Sequence, residues 1–308
     1  MPRCVALALH VERGNGYFPN LKPVSLFGDC MNTPQPKTLT IDGARASYRV
    51  WGEGREPTVL CLHGNPTSSF LWRHLGAGLQ DSMRVIAPDL PGHGGSELGS
   101  RAGTWEEMED FVERFTQSLG IERFTLILHD WGGLIGFRWL FDHPQRVRNL
   151  RKLVVSDTGF FSVDNSAWHS LAKIWRTPGE GEAWMNALTF DAFRDGMRAW
   201  CRNISDDAVL EYWKSLATHE RRMAKLALYR SGNLEKIKPY DGKLGTLACP
   251  TLILWSENDP FIPAAAGYRF HAEIPASRLH ALSGVSHFLW EEAPEQTIQL
   301  VRSFFIET

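Results

Sequence analysis

Residues 124–136 read Phe-Thr-Leu-Ile-Leu-His-Asp-Trp-Gly-Gly-Leu-Ile-Gly, and this stretch decides the fold. Its first half is an apolar run with the length of a buried strand, and its second half begins with glycines that open a helix. A polar turn centred on Asp130 lies between the two halves. A strand that passes through a sharp turn into a helix is typical of a nucleophile elbow, which exposes one side chain at the edge of a sheet.

The residue at the apex of this turn is an aspartate, in a position where such elbows normally carry a serine. Serine is suited to attack on acyl carbonyls. A carboxylate can instead displace a leaving group from a saturated carbon and become an alkyl ester. The sequence therefore predicts that Asp130 is the nucleophile of a reaction that passes through a covalent ester.

Strand-like runs alternate with helical stretches along most of the chain. The strand-like runs are residues 38–41, 45–51, 58–62, 84–87, 124–129, 150–155, 250–255 and 278–283. The helical stretches are expected at about 69–81, 104–119, 131–142 and 293–305. This alternation predicts an α/β fold with a mostly parallel central sheet flanked by helices.

The stretch from about 160 to 245 interrupts the alternation. It is helical in pattern, rich in tryptophan and without buried-strand runs. We predict an inserted helical cap (lid) over 160–245, a core formed by 36–159 and 246–308, and an N-terminal extension over 1–35. The apolar run near the N-terminus is short and no clear cleavage site follows it, which disfavours a signal peptide.

Composition disfavours several classes of function. The 308 residues are 43% hydrophobic and 22% charged, with a net charge of −2 and no block of basic residues, so neither a nucleic-acid nor a membrane partner is expected. No apolar run approaches the about 18 residues that span a bilayer. Five scattered cysteines without metal-site spacing indicate a reducing compartment, a cytoplasmic location and no zinc site.

Two further segments offer the partners that a carboxylate nucleophile requires. His287 follows the last strand-like run, and an order of nucleophile, acid and histidine along the chain predicts it as the general base. Asp259 follows the preceding strand and is the first choice for the acid that orients His287. Asp157, after the strand at 150–155, is the alternative acid, and Glu257 is a weaker one.

The loop after the strand at 58–62 begins His63-Gly64-Asn65-Pro66. It could be a simple turn, because Asn-Pro favours turns. Its position after a buried strand, upstream of the elbow, instead favours a functional role. The loop would supply a backbone N–H to an oxyanion and place the Asn65 side chain in the pocket. His63 and His129 are expected to shape the loops beside the site.

Together these segments resemble the haloalkane dehalogenases of the α/β-hydrolase fold over most of residues 36–308. In that family, an asparagine at the position of Asn65 and a tryptophan at the position of Trp131 hold the halide. Related epoxide hydrolases usually carry a glycine at the position of Leu128 and an aromatic residue at that of Asn65. The resemblance implies a small apolar halogenated substrate, a halide product and no metal or organic cofactor.

The resulting hypothesis is hydrolytic dehalogenation of haloalkanes through an alkyl ester on Asp130, which water activated by His287 then hydrolyses. Three alternatives remain open from the sequence. The first is an epoxide hydrolase that uses lid tyrosines such as Tyr229 as acids. The others are a non-catalytic protein that binds a small ligand and a relative of monooxygenase-like luciferases. The sequence indicates neither the preferred halogen nor the oligomeric state.

Overall fold

The computed structural model describes residues 33–307, so most of the expected N-terminal extension lies outside the described residues. One sheet of eight strands forms the centre of the protein. Its strands are β1 (Lys37–Ile41), β2 (Ala44–Trp51), β3 (Thr58–Leu62), β4 (Arg84–Pro88), β5 (Phe124–His129), β6 (Leu150–Ser156), β7 (Thr251–Ser256) and β8 (Ser277–Leu282).

The strands lie in the order β1-β2-β4-β3-β5-β6-β7-β8. The pairs β1–β2 and β2–β4 are antiparallel, and all other neighbours are parallel. Every residue of β3 and of β5 is buried, because helices cover both faces of the sheet and leave no polar side to these central strands. The predicted α/β-hydrolase fold with a mostly parallel sheet is confirmed.

Helices fill the connections between the strands. They are α1 (Arg73–Leu79), α2 (Trp105–Ser118), α3 (Trp131–Asp142), α4 (Pro144–Asn149), α5 (Ser170–Arg176), α6 (Glu180–Ala187), α7 (Phe190–Trp200), α8 (Asp206–Trp213), α9 (His219–Ser231), α10 (Ala264–Glu273), α11 (Leu289–Glu292) and α12 (Pro294–Ile306). Short 3₁₀ helices cover Ser69–Trp72, Asn165–Ala167, Leu234–Tyr240 and Lys243–Thr246. Within residues 33–307, every helix is too short or too polar to cross a membrane.

The eight predicted strands are present, each within two residues of its expected bounds. The helix expected at about 69–81 is a 3₁₀ turn at Ser69–Trp72 followed by a shorter α1, because Ser68 caps the 3₁₀ turn through its hydroxyl. A capping box at Thr104 and Glu107 begins α2. The sequence patterns did not predict α4 or α10.

Between β6 and β7 the chain forms only helices and turns, and we call residues 165–246 the helical segment. Buried polar contacts fix it to the loops of the sheet. Arg221 donates to the carbonyls of Gly94 and Ser96 at 2.9 Å each. Tyr212 donates to Glu291, whose carboxylate forms a buried bidentate pair with Arg73 at 2.6 and 2.7 Å. Such charge-assisted bonds have defined geometry, so they place α8 and α9 over the carboxyl ends of the strands.

Candidate active site

Asp130 lies between β5 and α3 at φ 51° and ψ −128°. A non-glycine residue rarely adopts this conformation, and it persists only where its surroundings impose it. The Asp130 N–H donates to the carbonyl of Asp157 at 3.2 Å, and the Thr158 hydroxyl donates to the carbonyl of Asp130 at 2.6 Å. The loop after β6 therefore holds the elbow in its strained form.

Two glycines allow the backbone to pass close to this elbow. A Cβ on Gly64 would lie 2.0 Å from Asp130 Oδ1, and a Cβ on Gly132 would lie 2.1 Å from the carbonyl oxygen of Leu62. Real Cβ atoms do not approach other heavy atoms this closely, so only glycine fits at either position. The loop after β3 consequently lies directly against the Asp130 carboxylate.

Backbone amides hold one side of that carboxylate. The N–H of Asn65 donates to Asp130 Oδ1 at 2.6 Å, and the N–H of Trp131 also donates to the carboxylate. Asp130 Oδ2 lies 3.5 Å from His287 Nε2, which is longer than a normal hydrogen bond. The two amides are placed to stabilise negative charge on the carbonyl oxygen of an ester formed at Asp130.

His287 is positioned by Asp259, whose Oδ2 accepts from His287 Nδ1 at 2.7 Å. The other oxygen of Asp259 accepts from the N–H groups of Phe261 and Ile262 at 2.7 and 3.0 Å. Burial alone would lower the pKa of His287, but the charge of Asp259 and the contacts with Asp130 and Asp259 raise it well above its ordinary value. Burial would raise the pKa of Asp130, and the contact with His287 and its charge reverse this and hold it below its ordinary value.

Asp157, the alternative acid, is fully buried and has a different partner. Its two oxygens contact the N–H of Ser256 at 2.9 Å and the hydroxyl of Ser256 at 2.6 Å. Burial and the charge of Asp259 raise the pKa of Asp157 well above its ordinary value. Of the two candidate acids, only Asp259 is hydrogen-bonded to His287.

The flanking histidines contact loop backbone. His129 Nε2 lies 2.9 Å from the carbonyl oxygen of His287, and His63 Nε2 accepts from the N–H of Leu90 at 3.0 Å. Burial lowers the pKa of each to about 4, so both rings are neutral. They hold the loops after β8 and β4, in line with the role that the sequence predicts for them.

The side chains of Asn65 and Trp131 converge on one atom, the hydroxyl oxygen of Tyr229 in α9. Asn65 Nδ2 lies 3.5 Å from it, and the Trp131 indole N–H donates to it. Burial and the charge of Asp130 raise the pKa of Tyr229, so its hydroxyl keeps its proton. Two neutral N–H donors thus point at one position beside the Asp130 carboxylate.

Aromatic rings from the helical segment close the space above Asp130. Trp168 stacks on Trp131 with ring centroids 5.7 Å apart, and Tyr229 meets Trp131 edge-on at 5.1 Å. His169 and Phe261 extend this wall toward His287. The sequence did not single out His169, because the helical segment has no distinctive pattern, or Phe261, because it is an apolar residue in the loop after β7.

The residues described by the structure include one group of side chains close enough to share a metal ion. Ligand atoms of His129, Asp157 and His287 lie within 4.8 Å of one another. Their hydrogen bonds fit a metal site poorly, because both oxygens of Asp157 contact Ser256 and His287 Nδ1 is bound to Asp259. We therefore assign no metal to this group.

The chain matches the family described as the alpha/beta hydrolase fold over residues 57–294, and it belongs to that family. This agrees with a nucleophile elbow after β5 and a histidine after the last strand.

Individual relatives are more distant. The chain is 29% identical over 278 residues to haloalkane dehalogenase 2 of Mycobacterium tuberculosis, covering 86% of this chain and 95% of the relative. It is also 29% identical over 294 residues to a cis-3-alkyl-4-alkyloxetan-2-one decarboxylase of Xanthomonas campestris, covering 87% and 95%. Among solved structures, haloalkane dehalogenase DbeA from Bradyrhizobium elkani has a TM-score of 0.76 at 24% identity, covering 89% and 99%.

Proposed function

We propose that this protein hydrolyses haloalkanes to an alcohol, a halide ion and a proton. One observation carries the proposal: the Asn65 amide and the Trp131 indole direct two neutral N–H groups at one point beside the Asp130 carboxylate. A departing halide is a stable anion that needs donors but no proton. Neutral donors in a buried site stabilise such a charge without a counter-charge of their own.

In the first step, Asp130 Oδ2 attacks the carbon that bears the halogen. The new bond is the C–O bond of an alkyl ester, and the C–halogen bond breaks with its electron pair going to the halide. Asn65 N–H holds Oδ1 at 2.6 Å, which leaves Oδ2 as the attacking oxygen. The halide moves to the donors of Asn65 and Trp131 and displaces the contacts that these donors make with the Tyr229 hydroxyl.

In the second step, the ester at Asp130 no longer carries the negative charge that helps to raise the pKa of His287. Nε2 of the neutral ring then takes a proton from water, and the resulting hydroxide attacks the ester carbonyl of Asp130. The backbone N–H groups of Asn65 and Trp131 stabilise the oxyanion. The intermediate collapses to the alcohol and the Asp130 carboxylate, so the carboxylate retains one oxygen from water. Asp259 keeps the imidazole oriented and stabilises its positive charge.

The relatives support this choice, since one of them is named as a haloalkane dehalogenase. We further propose that the helical segment is the cap of the active site, because Tyr229 and Trp168 from this segment contact Trp131. The cap would then include the residues that select the substrate.

Epoxide hydrolysis is a second candidate, and the Tyr229 hydroxyl favours it. An epoxide opened by Asp130 leaves as an alkoxide, which needs a proton. Tyr229 accepts from Asn65 and Trp131 and retains its own proton, so it could donate that proton to the alkoxide. Asn65 and Trp131 would then act by orienting the tyrosine.

Two variants distinguish these reactions, with 1-bromobutane and styrene oxide as substrates. Asn65→Ala is expected to slow bromide release by about 100-fold, the usual effect of removing one donor from a developing anion. Tyr229→Phe should leave bromide release within about threefold, because two neutral donors keep the halide site. The measurements are bromide release and diol formation by the purified protein and both variants.

Three outcomes would contradict either dehalogenation or the proposed halide site at Asn65 and Trp131. One is a wild-type protein that opens the epoxide and releases no halide from chloro-, bromo- or iodoalkanes. Another is a Tyr229→Phe variant that loses bromide release as completely as diol formation. The third is turnover only of a disubstituted oxetan-2-one, the substrate class in the name of the Xanthomonas relative.

The two acidic residues behind His287 should respond very differently to the same substitution. Asp259→Asn is expected to lower turnover of 1-bromobutane by about 10⁴-fold, because the amide cannot stabilise imidazolium and favours the wrong tautomer. Asp157→Asn should change it by less than about tenfold, because the hydrogen bonds of Asp157 are to Ser256 and an amide can still contact that residue. Equal losses in the two variants, at equal thermal stability, would show that Asp157 acts as an acid as well.

A further inference from the structure

His169 is a polar side chain in the aromatic wall of the site that the mechanism above does not use. It occupies the N-cap position of α5, and its Nδ1 accepts from the N–H of Ala172 at 3.2 Å. A ring nitrogen that accepts has no proton, so the proton of the neutral ring is on Nε2. The capping bond therefore makes Nε2–H a donor.

The ring is neutral across the physiological range, because burial lowers the pKa of His169 to about 4. Among the hydrogen bonds of residues 33–307, none involves His169 Nε2. His169 is half-buried, so water can pair with this N–H in the free protein. When a bound molecule displaces that water, an acceptor on the molecule contributes about the free energy of one neutral hydrogen bond that a hydrocarbon group cannot supply.

The His169 ring contacts two aromatic residues that line the site, Phe261 and Tyr229. Its centroid lies 5.0 Å from that of Phe261, which lies 5.2 Å from that of His287. The His169 centroid also lies 6.4 Å from the ring centroid of Tyr229, whose hydroxyl contacts Asn65. His169 thus packs against both Phe261, which contacts the His287 ring, and Tyr229, whose hydroxyl lies 3.5 Å from Asn65 Nδ2.

We propose that His169 is a specificity-determining residue, which donates Nε2–H to an oxygen on the substrate near the carbon that bears the halogen. This inference rests on the proposed dehalogenation. The substrate class it selects is haloalkanes with an ether, hydroxyl or carbonyl oxygen close to the halogen. A site with a fixed donor favours such molecules over hydrocarbon isosteres, which leave the donor unpaired.

The two nitrogens of His169 have separate roles, and two substitutions separate them. His169→Asn places an acceptor near the position of Nδ1, so it preserves the helix cap and removes the pocket donor. His169→Gln places an N–H donor near the position of Nε2 and gives up the cap. The substrates are 1-bromobutane and 1-bromo-2-methoxyethane, which have nearly the same shape and differ in one CH₂ replaced by oxygen.

For His169→Asn we expect kcat/KM for the ether to fall about fivefold, the value of one neutral hydrogen bond, mainly through KM. The value for 1-bromobutane should change by less than about twofold. His169→Gln should restore most of the ratio between the two substrates while showing the lower Tm of a protein without this cap. A merely structural role would lower both substrates together and follow Tm.

The possible outcomes separate this inference from the function on which it rests. A wild-type protein that releases bromide from neither substrate overturns both. Bromide release from both substrates, with a ratio that His169→Asn leaves unchanged, overturns the inference alone. Equal losses on both substrates in His169→Asn also overturn it, since they indicate a general effect on the site.

Discussion

Replacing His287 with alanine is expected to stop the reaction after one chemical step and to leave a covalent alkyl ester on Asp130. Alkylation needs only the carboxylate and the halide donors, none of which His287 supplies. Hydrolysis needs a base within reach of the ester, and His287 Nε2 is the ring nitrogen that lies 3.5 Å from Asp130 Oδ2. Steady-state turnover should fall by at least about 10⁴-fold, as when the base of a catalytic triad is removed.

The adduct can be measured directly by mass spectrometry of the intact His287→Ala protein after exposure to 1-bromobutane. The expected gain is one butyl group per chain, located on the peptide that contains Asp130. The double variant Asp130→Asn, His287→Ala is the matched control and should gain no mass. In the wild-type protein, a single turnover in ¹⁸O-water should label Asp130. A His287→Ala protein that turns over repeatedly would rule out His287 as the required base, and an active wild-type protein without label would rule out the ester route.

The parts of the site that lie on strand ends could be predicted from the sequence. Asp130, His287 and the loop that begins at His63 each follow a buried apolar run, and such runs fix where the sheet stops. Parallel strands bring their carboxyl ends to one edge, so the meeting of these residues follows from local patterns alone.

The choice between Asp157 and Asp259 could not be settled in the same way. Both follow strands that end at the same edge, and their roles depend on which loop reaches His287. The structure shows the difference in their partners: Asp259 Oδ2 contacts His287, whereas Asp157 is held by Ser256. Such contacts depend on how two loops pack against each other, and hydrophobic periodicity does not predict the packing of loops.

The helical segment was the least predictable part of the site. Its tryptophans indicate packing, yet nothing in the pattern distinguishes an aromatic residue that covers Asp130 from one in the core of the helices. Tyr229 was suspected as an acid, but its contacts with both Asn65 and Trp131 depend on how α9 is held against the sheet. From the sequence, His169 is only a residue before a helix. The role of its second nitrogen depends on the neighbours of the ring near Asp130 and His287, and those neighbours come from the fold.

The second large effect is expected from one methyl group at Gly132. Alanine there would place its Cβ 2.1 Å from the carbonyl oxygen of Leu62 and 2.7 Å from that of His63. Both neighbours are backbone atoms at the end of β3, so no side chain can rotate away. Either α3 or β3 must move, and overpacking of this kind costs about 3 kcal/mol of the free energy of unfolding.

The same movement would separate the Asp130 carboxylate from the backbone N–H of Asn65. Besides the loss of stability, turnover should therefore fall by about 100-fold. Gly196→Ala is the matched control, since Gly196 lies inside α7 and the nearest atom to its added Cβ is 3.8 Å away on Trp200. There the methyl group should raise the free energy of unfolding by about 0.5–1 kcal/mol, because alanine loses less backbone entropy in a helix.

Urea denaturation of the two variants beside the wild-type protein measures both effects, which should have opposite signs. The contrast isolates the cause, because the chemical change is the same and only the distance to the next atom differs. If Gly132→Ala unfolds at the wild-type urea concentration and keeps its activity, the close approach of β3 to the elbow is not required. The close approach of β3 would then not be the reason why the backbone N–H of Asn65 lies within hydrogen-bonding distance of Asp130 Oδ1.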